Sequence, residues 1–193
     1  MPRRKHKTIK HYHEPGDLHE LTFSCYRQMK LLTNDKWRGY LSRTIDDAGE
    51  QFRFNLVAFV FMPEHVHLLV FPLDNDPAID RYLAAVKRPL AADVKRDLVQ
   101  AESPLLQRLT VRERPGKEAF RFWQEGPGYD RNLQTPAAVM SSLEYIHMNP
   151  VRRGLVTDMR LWKWSSARFY ASDGTVIDLD LPRITPMSAE FWM

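Results

Sequence analysis

Two apolar runs near the middle of the chain dominate its pattern of hydrophobic and polar positions. Residues 55–61 are almost wholly apolar, and an aliphatic run resumes over residues 65–71. Apolar runs of this length, rich in β-branched and aromatic residues, predict buried strands. The residues between them, Met62-Pro63-Glu64, predict a tight antiparallel connection because they are few and include a proline.

Other segments place apolar residues at the spacing of three to four that is typical of helices. Helices are predicted from a Thr33 or Asn34 cap to about residue 48, over residues 78–98 and over residues 136–149. Pro89 is expected to kink the second helix or divide it in two. The third helix is expected to begin at a Thr135 cap and to end before Pro150.

The remaining segments complete a mixed pattern. Strands are predicted over residues 19–26 and 119–124, and residues 99–117 are expected to be irregular. Strands that alternate with helices around an antiparallel pair indicate an α+β fold.

Composition limits the class of protein. The chain has 193 residues, 44% of them hydrophobic, which is enough for one domain with short appendages. A single cysteine, Cys25, excludes an intrachain disulfide and a thiolate metal cluster. Neither an 18-residue apolar run nor the apolar core of a signal peptide is present, so we expect a cytoplasmic protein.

Charge is distributed unevenly along the chain. Lysine and arginine outnumber aspartate and glutamate by 28 to 24, and basic residues crowd the first ten positions. Residues 1–17 are therefore predicted to form a basic flexible arm, followed by a main domain over 18–170 and an extension over 171–193. The basic clusters are compatible with a polyanionic partner and equally with an ordinary solvated surface.

A histidine pair on the second apolar run is the first candidate for chemistry. His65 and His67 are two residues apart, so a strand would present both imidazoles on one face. Imidazole is the commonest side-chain ligand of metals in proteins. The pair predicts half of a metal site, although two hydrogen-bonded histidines in a packed strand would give the same pattern.

The last predicted helix offers complementary groups. Tyr145 and Asn149 are four residues apart and would share one helix face. The asparagine amide oxygen is a candidate third metal ligand, and the tyrosine is a candidate nucleophile beside it. Alternatively, Tyr145 packs on the domain and Asn149 only precedes the proline that stops the helix.

Four motifs in this order resemble a known family. They are Met62–Val70, Phe122–Gln124 with Tyr129–Arg131, Tyr145–Val156 and Trp164–Ala167, and the resemblance covers roughly residues 18–170. The sequence is similar to the single-tyrosine HUH transposases, and most closely to the REP-associated tyrosine transposases among them. Glu64 departs from the Asn or Asp that many relatives have there, and a stretch rich in Pro and Gly over 125–128 precedes Tyr129.

The resemblance implies a ferredoxin-like antiparallel sheet with the histidine pair on a central strand and the tyrosine helix beside it. It also implies DNA transposition by nicking and joining of single-stranded DNA, on a hairpin of the palindromic REP type. Tyr145 would form a 5′-phosphotyrosine link, while His65, His67 and Asn149 would hold a divalent metal ion, Mg²⁺ or Mn²⁺. Such a protein would act on the nucleoid as a monomer or a homodimer.

Further residues are assigned by their position in these motifs and clusters. Candidate DNA-binding residues are Arg3, Arg4, Lys5, Lys87, Arg88, Arg131, Arg152 and Arg153. Glu64 is expected to be an exposed turn residue, with a metal ligand or base as its alternative role. Trp162 and Trp164 are expected to pack the C-terminal segment rather than stack on bases, and His147 to be structural.

Two other functions are compatible with the same residues. One is a hairpin-binding protein without catalytic activity. The other is a metal-dependent phosphodiesterase that acts on RNA, in which Tyr145 only packs.

Overall fold

The computed structural model describes residues 14–126 and 128–186. Most of the predicted basic arm lies outside these residues, and so do its candidate DNA-binding residues Arg3, Arg4 and Lys5. Across the described part of the chain, no helix is both long enough and apolar enough to cross a membrane.

The main sheet has four antiparallel strands, and a separate hairpin has two. In chain order the strands are β1 (Leu18–Ser24), β2 (Phe54–Phe61), β3 (His65–Pro72), β4 (Thr110–Arg114), β5 (Lys117–Phe120) and β6 (Tyr129–Leu133). The main sheet has the order β2-β3-β1-β6, and β4 pairs with β5. This antiparallel sheet with packed helices confirms the predicted ferredoxin-like α+β class.

Helices cover both faces of the main sheet. They are α1 (Asp35–Phe52), α2 (Ile79–Gln100), α3 (Leu105–Leu109), α4 (Pro136–Arg152) and α5 (Ala167–Ala171). The apolar residues of α1 and α2 form one buried core with one face of the sheet, and those of α4 form a second core with the other. We call these the α1/α2 face and the α4 face.

Side-chain caps begin the two helices for which the sequence predicts them. The Asn34 carboxamide oxygen accepts a hydrogen bond from the Trp37 backbone N–H at 3.3 Å. The Thr135 hydroxyl accepts one from the Ala138 backbone N–H at 3.2 Å. Each bond satisfies one of the N–H groups that a helix leaves without a partner in its first turn.

Both interior prolines lie within continuous helices, so Pro89 does not divide the second predicted helix and Pro150 does not end the third. Pro89 lies inside the single helix α2, and α4 continues through Pro150 to Arg152. Proline removes one backbone hydrogen bond, but α2 also buries an apolar stripe, which includes Val86 and Leu90. Burial of such a stripe outweighs local propensity.

Two predictions for the second half of the chain are wrong. The segment 99–117, expected to be irregular, contains α3 and β4. The segment 119–124, predicted as a strand of its own, overlaps only the end of β5, and Trp123 makes an isolated bridge to Cys25. The fourth strand of the main sheet is instead β6. Its sequence, Tyr-Asp-Arg-Asn-Leu, is largely polar and lacks the apolar residues from which a strand is predicted.

Candidate metal and tyrosine site

Alternation along β3 separates packing from polar side chains. Val66 and Leu68 belong to the core of the α1/α2 face. His65 and His67 point to the opposite side, with ring centroids 4.9 Å apart and planes at 82°. The two-residue spacing therefore places both imidazoles on the α4 face, as predicted, and on a strand flanked by β1 and β2.

The neighbouring strand supplies a partner for His67. Thr22 of β1 lies opposite His67 in the antiparallel register, and 2.9 Å separates its hydroxyl oxygen from Nδ1 of His67. The Glu20 carboxylate lies on the same side, with Oε1 3.8 Å from that nitrogen. The Nδ1 side of the His67 ring is therefore occupied by protein groups.

Helix α4 brings the other two predicted residues to the same imidazole. The Asn149 amide nitrogen lies 3.2 Å from Nε2 of His67, and the Tyr145 ring centroid lies 5.5 Å from that of His67. Asn149 is buried, while the Tyr145 side chain is 41% exposed. One helix face thus presents a buried amide and an accessible phenol to His67.

Burial keeps both histidines in the neutral form. It lowers the pKa of His67 to about 3, with a smaller contribution from the adjacent His65. It also lowers the pKa of His65, although the carboxylate of Glu64 opposes the shift. Neutral imidazole is the form that coordinates metals.

The separation of His67 and Asn149 suits two ligands of one divalent cation. Since the Asn149 amide donates to Nε2 of His67, that nitrogen carries a lone pair, and a half-turn of the amide would place its oxygen at the same position. Two ligands at right angles, each 2.1 Å from a cation, are about 3 Å apart, close to the observed 3.2 Å separation. Within residues 14–126 and 128–186, no cluster of three or more His, Cys, Asp or Glu side chains could hold a metal.

A cavity of about 390 Å³ opens beside His67 and Tyr145. Its wall includes Glu20, whose carboxylate accepts a hydrogen bond from the Ser142 hydroxyl at 3.0 Å. Arg131 also lines it and approaches Glu20 to 4.0 Å. The cavity is polar and adjoins both the candidate nucleophile and a candidate ligand.

Sequence reasoning missed Glu20, Thr22 and Ser142. The available signal was alternation in β1, where Glu20 and Thr22 alternate with the apolar residues Leu21 and Phe23. Ser142 lies three residues before Tyr145 and so shares its helix face. These three polar residues line the cavity together.

Gly128 allows the chain to approach β1 closely just before β6. Its φ angle is +86°, and a Cβ atom there would lie 2.4 Å from the Thr22 carbonyl oxygen. No other residue fits this position without displacing the backbone next to the site. Gly128, the last residue of the stretch that precedes Tyr129, therefore has a steric role.

The candidate DNA-binding residues divide into two groups. Arg131 lines the cavity, and the Arg152 guanidinium lies 5.2 Å from the Tyr145 ring centroid. Arg153 forms an ion pair with Glu64 next to His65. Lys87 and Arg88 belong instead to α2 and border a separate cavity of about 410 Å³.

Glu64 differs from its prediction. It is buried, with 7% of its surface exposed, and its carboxylate lies 3.2 Å from Nδ1 of His65. The prediction assumed that strand alternation starts before Glu64, but β3 begins at His65 and the preceding turn directs the carboxylate back toward the imidazole.

The remaining assignments agree with the structure. His147 is buried and lies 2.8 Å from the Ser166 hydroxyl through Nε2, away from the candidate site. Trp164 is buried in the core, and the Trp162 indole N–H donates to the Phe61 carbonyl at 3.1 Å. Both tryptophans pack the C-terminal segment.

No protein-family model matches the chain. A curated relative does: the "Putative REP-associated tyrosine transposase" of Haemophilus influenzae is 27% identical over 143 residues, which cover 70% of this chain and 76% of that protein. Among solved structures, a REP-associated tyrosine transposase bound to a REP hairpin matches with a TM-score of 0.65 at 18% identity. That match covers 95% of this chain and 96% of the other.

A crystal structure described as "a putative transposase" from Deinococcus radiodurans also matches, with a TM-score of 0.43 at 18% identity over 74% of this chain and 96% of that one. This similarity is too low to carry an argument. The curated relative and the first solved structure are both described as transposases, and the match to that structure shows a shared fold. The resemblance of the chain to the REP-associated tyrosine transposases, predicted from the motifs, is confirmed.

Proposed function

We propose that this protein is a metal-dependent transposase that nicks and joins single-stranded DNA through a 5′-phosphotyrosine intermediate. The observation that supports this most is the convergence of Tyr145 and Asn149 on His67 within one chain. Because one chain supplies all of these groups, we propose that Tyr145 acts in cis, at the metal site of its own chain.

His65, His67 and Asn149 would hold the metal ion, for which the resemblance suggests Mg²⁺ or Mn²⁺. When bound, a divalent cation would neutralise charge on the scissile phosphate and orient it for in-line attack. Imidazole is a softer ligand than either ion usually prefers, so the identity of the metal is part of what the experiment below tests.

Tyr145 would supply the nucleophile. Its phenolic oxygen forms a bond to phosphorus while the bond from phosphorus to the 3′ oxygen breaks, which leaves a 5′-phosphotyrosine and a free 3′-OH. The phenol loses a proton and the leaving oxygen gains one. Attack by a 3′-OH on the phosphotyrosine reverses these bond changes, so joining needs no nucleoside triphosphate.

The surroundings of Tyr145 suit this role. Its exposed ring can reach a bound strand, and the guanidinium of Arg152 over the ring attracts the negative charge of a phenolate. Arg131, in the cavity, is placed to contact a phosphate or a base of the strand.

A hairpin is the proposed substrate. The solved transposase with the same fold is bound to a REP hairpin. Arg131, Arg152 and Arg153 would contact the DNA near the site, and Lys87 and Arg88 would do so from α2. The same role is proposed for Arg3, Arg4 and Lys5, which lie outside the described residues.

Trapping of the covalent intermediate tests the mechanism. The protein is incubated with a labelled DNA hairpin that carries a single-stranded flank, with Mg²⁺ or Mn²⁺, and denaturing electrophoresis detects the adduct. We expect an adduct with the native chain and with Tyr129→Phe, which removes a second exposed phenol. An adduct that persists in Tyr145→Phe would refute the proposed mechanism.

Other outcomes of this experiment identify the alternative functions. Hairpin binding with no cleavage under any divalent metal would indicate a DNA-binding protein without catalytic activity. Cleavage that survives Tyr145→Phe, leaves no adduct and prefers RNA would indicate a phosphodiesterase. Loss of metal binding in the double variant His65→Ala/His67→Ala, measured by calorimetry, is the companion test of the ligands.

A further inference from the structure

The turn between β2 and β3 holds Glu64 in a defined position. The Glu64 carbonyl oxygen accepts a hydrogen bond from the Cys25 backbone N–H at 2.8 Å, and the Pro63 carbonyl accepts one from Leu32 at 2.9 Å. The side chain is buried below this anchored backbone. Its carboxylate therefore has little freedom to move away from its partners.

One carboxylate oxygen contacts two groups. Oε1 of Glu64 lies 3.2 Å from Nδ1 of His65 and accepts a hydrogen bond from Nη2 of Arg153 at 2.5 Å. A carboxylate can only accept, so its hydrogen bond with His65 requires the proton on Nδ1. That tautomer leaves the lone pair on Nε2, the nitrogen free to bind a metal.

Arg153 connects this carboxylate to the tyrosine helix. It caps the C-terminus of α4, where its backbone N–H donates to the Asn149 carbonyl at 3.0 Å. A continuous set of contacts thus runs from His65 through Glu64 and Arg153 to the helix that carries Asn149 and Tyr145. The Glu64–Arg153 ion pair joins the turn to the C-terminal end of α4.

We infer that Glu64 is a positioning residue with two effects. It holds His65 in the tautomer that presents Nε2, and through Arg153 it sets the position of α4 relative to β3. The inference rests on the proposed function for the identity of the ligands. Carboxylate partners of metal-binding histidines generally affect metal affinity by about 10- to 100-fold.

Metal affinity provides the first test. We expect Glu64→Ala to weaken Mn²⁺ binding by about 10-fold or more, measured by electron paramagnetic resonance of the free ion. Glu64→Gln, which keeps an oxygen that accepts from His65, should weaken binding less. The matched control is Glu50→Ala, because Glu50 forms a comparable ion pair with Arg183 on the surface. The Mn²⁺ affinity of this control variant should equal that of the native protein.

The connection to α4 predicts a different result for Arg153→Ala. This variant keeps the contact between Glu64 and His65, so Mn²⁺ affinity should fall less than in Glu64→Ala, in which the displacement of Asn149 adds to the loss of that contact. Adduct formation at saturating Mn²⁺ and saturating hairpin should fall by about 10-fold or more because Tyr145 is misplaced. In the double variant Glu64→Ala/Arg153→Ala, the losses in adduct formation should be less than multiplicative. Equal affinity losses in both single variants would contradict the separate roles.

The tautomer can be measured without any metal. In ¹⁵N spectra of the imidazoles, His65 should carry its proton on Nδ1 in the native protein and shift toward Nε2 in Glu64→Ala. If Glu64→Ala lowers the melting temperature but leaves both the tautomer and the Mn²⁺ affinity unchanged, Glu64 is only structural and the inference is wrong. These readouts need no cleavage, so failure of the proposed nicking activity would be seen separately.

Discussion

The two faces of the main sheet differ in what they bury. On the α1/α2 face, β1, β2 and β3 contribute apolar side chains such as Phe23, Phe59 and Leu68, which pack on apolar residues of the two helices. On the α4 face the same strands contribute a smaller apolar core together with Glu20, Thr22 and His67, all of which meet polar partners.

This difference shows how one strand can serve two purposes. Because successive side chains of a strand point to opposite sides, Val66 and Leu68 can stabilise the fold while His65 and His67 remain available for chemistry. Burying polar groups costs stability unless each finds a partner. The large apolar core on one face offsets what the polar network on the other face costs.

The largest expected effect comes from the apolar face. Phe59 is fully buried, with its ring 4.8 Å from that of Phe61, so Phe59→Ala should lower the free energy of unfolding by about 3–5 kcal/mol. Urea denaturation measures this loss, and Phe59→Leu should restore most of it. At a temperature where the variant is folded, its Mn²⁺ affinity should match the native value; a large loss of affinity would show that the faces are not independent.

The opposite result is expected on the α4 face. Thr22→Val keeps the shape of the side chain but removes the hydroxyl beside Nδ1 of His67, so Mn²⁺ affinity should fall by about 10-fold or more. The free energy of unfolding should change by only about 1 kcal/mol. Thr44→Val, a buried helix position remote from the site, is the control. Unchanged affinity in Thr22→Val would mean that this hydroxyl does not orient the ligand.

A third effect, which depends on pH, concerns a partly buried charge on the apolar face. The Lys87 ammonium lies 4.7 Å from the Phe23 ring centroid, and burial lowers its pKa to about 8. The unfolded chain, with an ordinary lysine pKa near 10.4, then binds more protons than the folded chain between about pH 8 and 10.4. The lysine's unfavourable contribution is therefore present below pH 8 and is relieved as the pH rises through this window.

The variant Lys87→Met isolates this contribution from the other groups that titrate. The stability of the native protein relative to Lys87→Met should rise by about 1–2 kcal/mol between pH 7.5 and 10.5, as measured by urea denaturation at each pH. A difference that stays constant over this range would show that the ammonium is well solvated.

Much of the fold followed from local signals. The apolar runs gave β2 and β3, and the helix caps at Asn34 and Thr135 marked where α1 and α4 begin. The hairpin of β4 and β5 was missed because its residues are largely polar and it lies outside the main sheet. The strand β6 was missed because its residues are also largely polar and its partner, β1, is distant in sequence. Proline disfavours the interior of a helix, but at Pro89 and Pro150 packing outweighed this local preference.

The candidate site was only partly predictable. Spacing alone placed His65 with His67 and Tyr145 with Asn149, because side-chain direction repeats every two residues in a strand and roughly every 3.6 in a helix. Glu64 was mispredicted, since the direction of its side chain depends on where β3 begins and on Arg153, which is 89 residues away.

The sequence by itself determined which residues share a face of β3 and of α4, and its motifs determined the family that the chain resembles. Only the tertiary structure decided that these two faces meet, that Asn149 approaches His67, and that Glu64 joins His65 to Arg153. The physical reason is that periodicity follows from local backbone geometry, whereas contacts between distant segments depend on how the whole core packs.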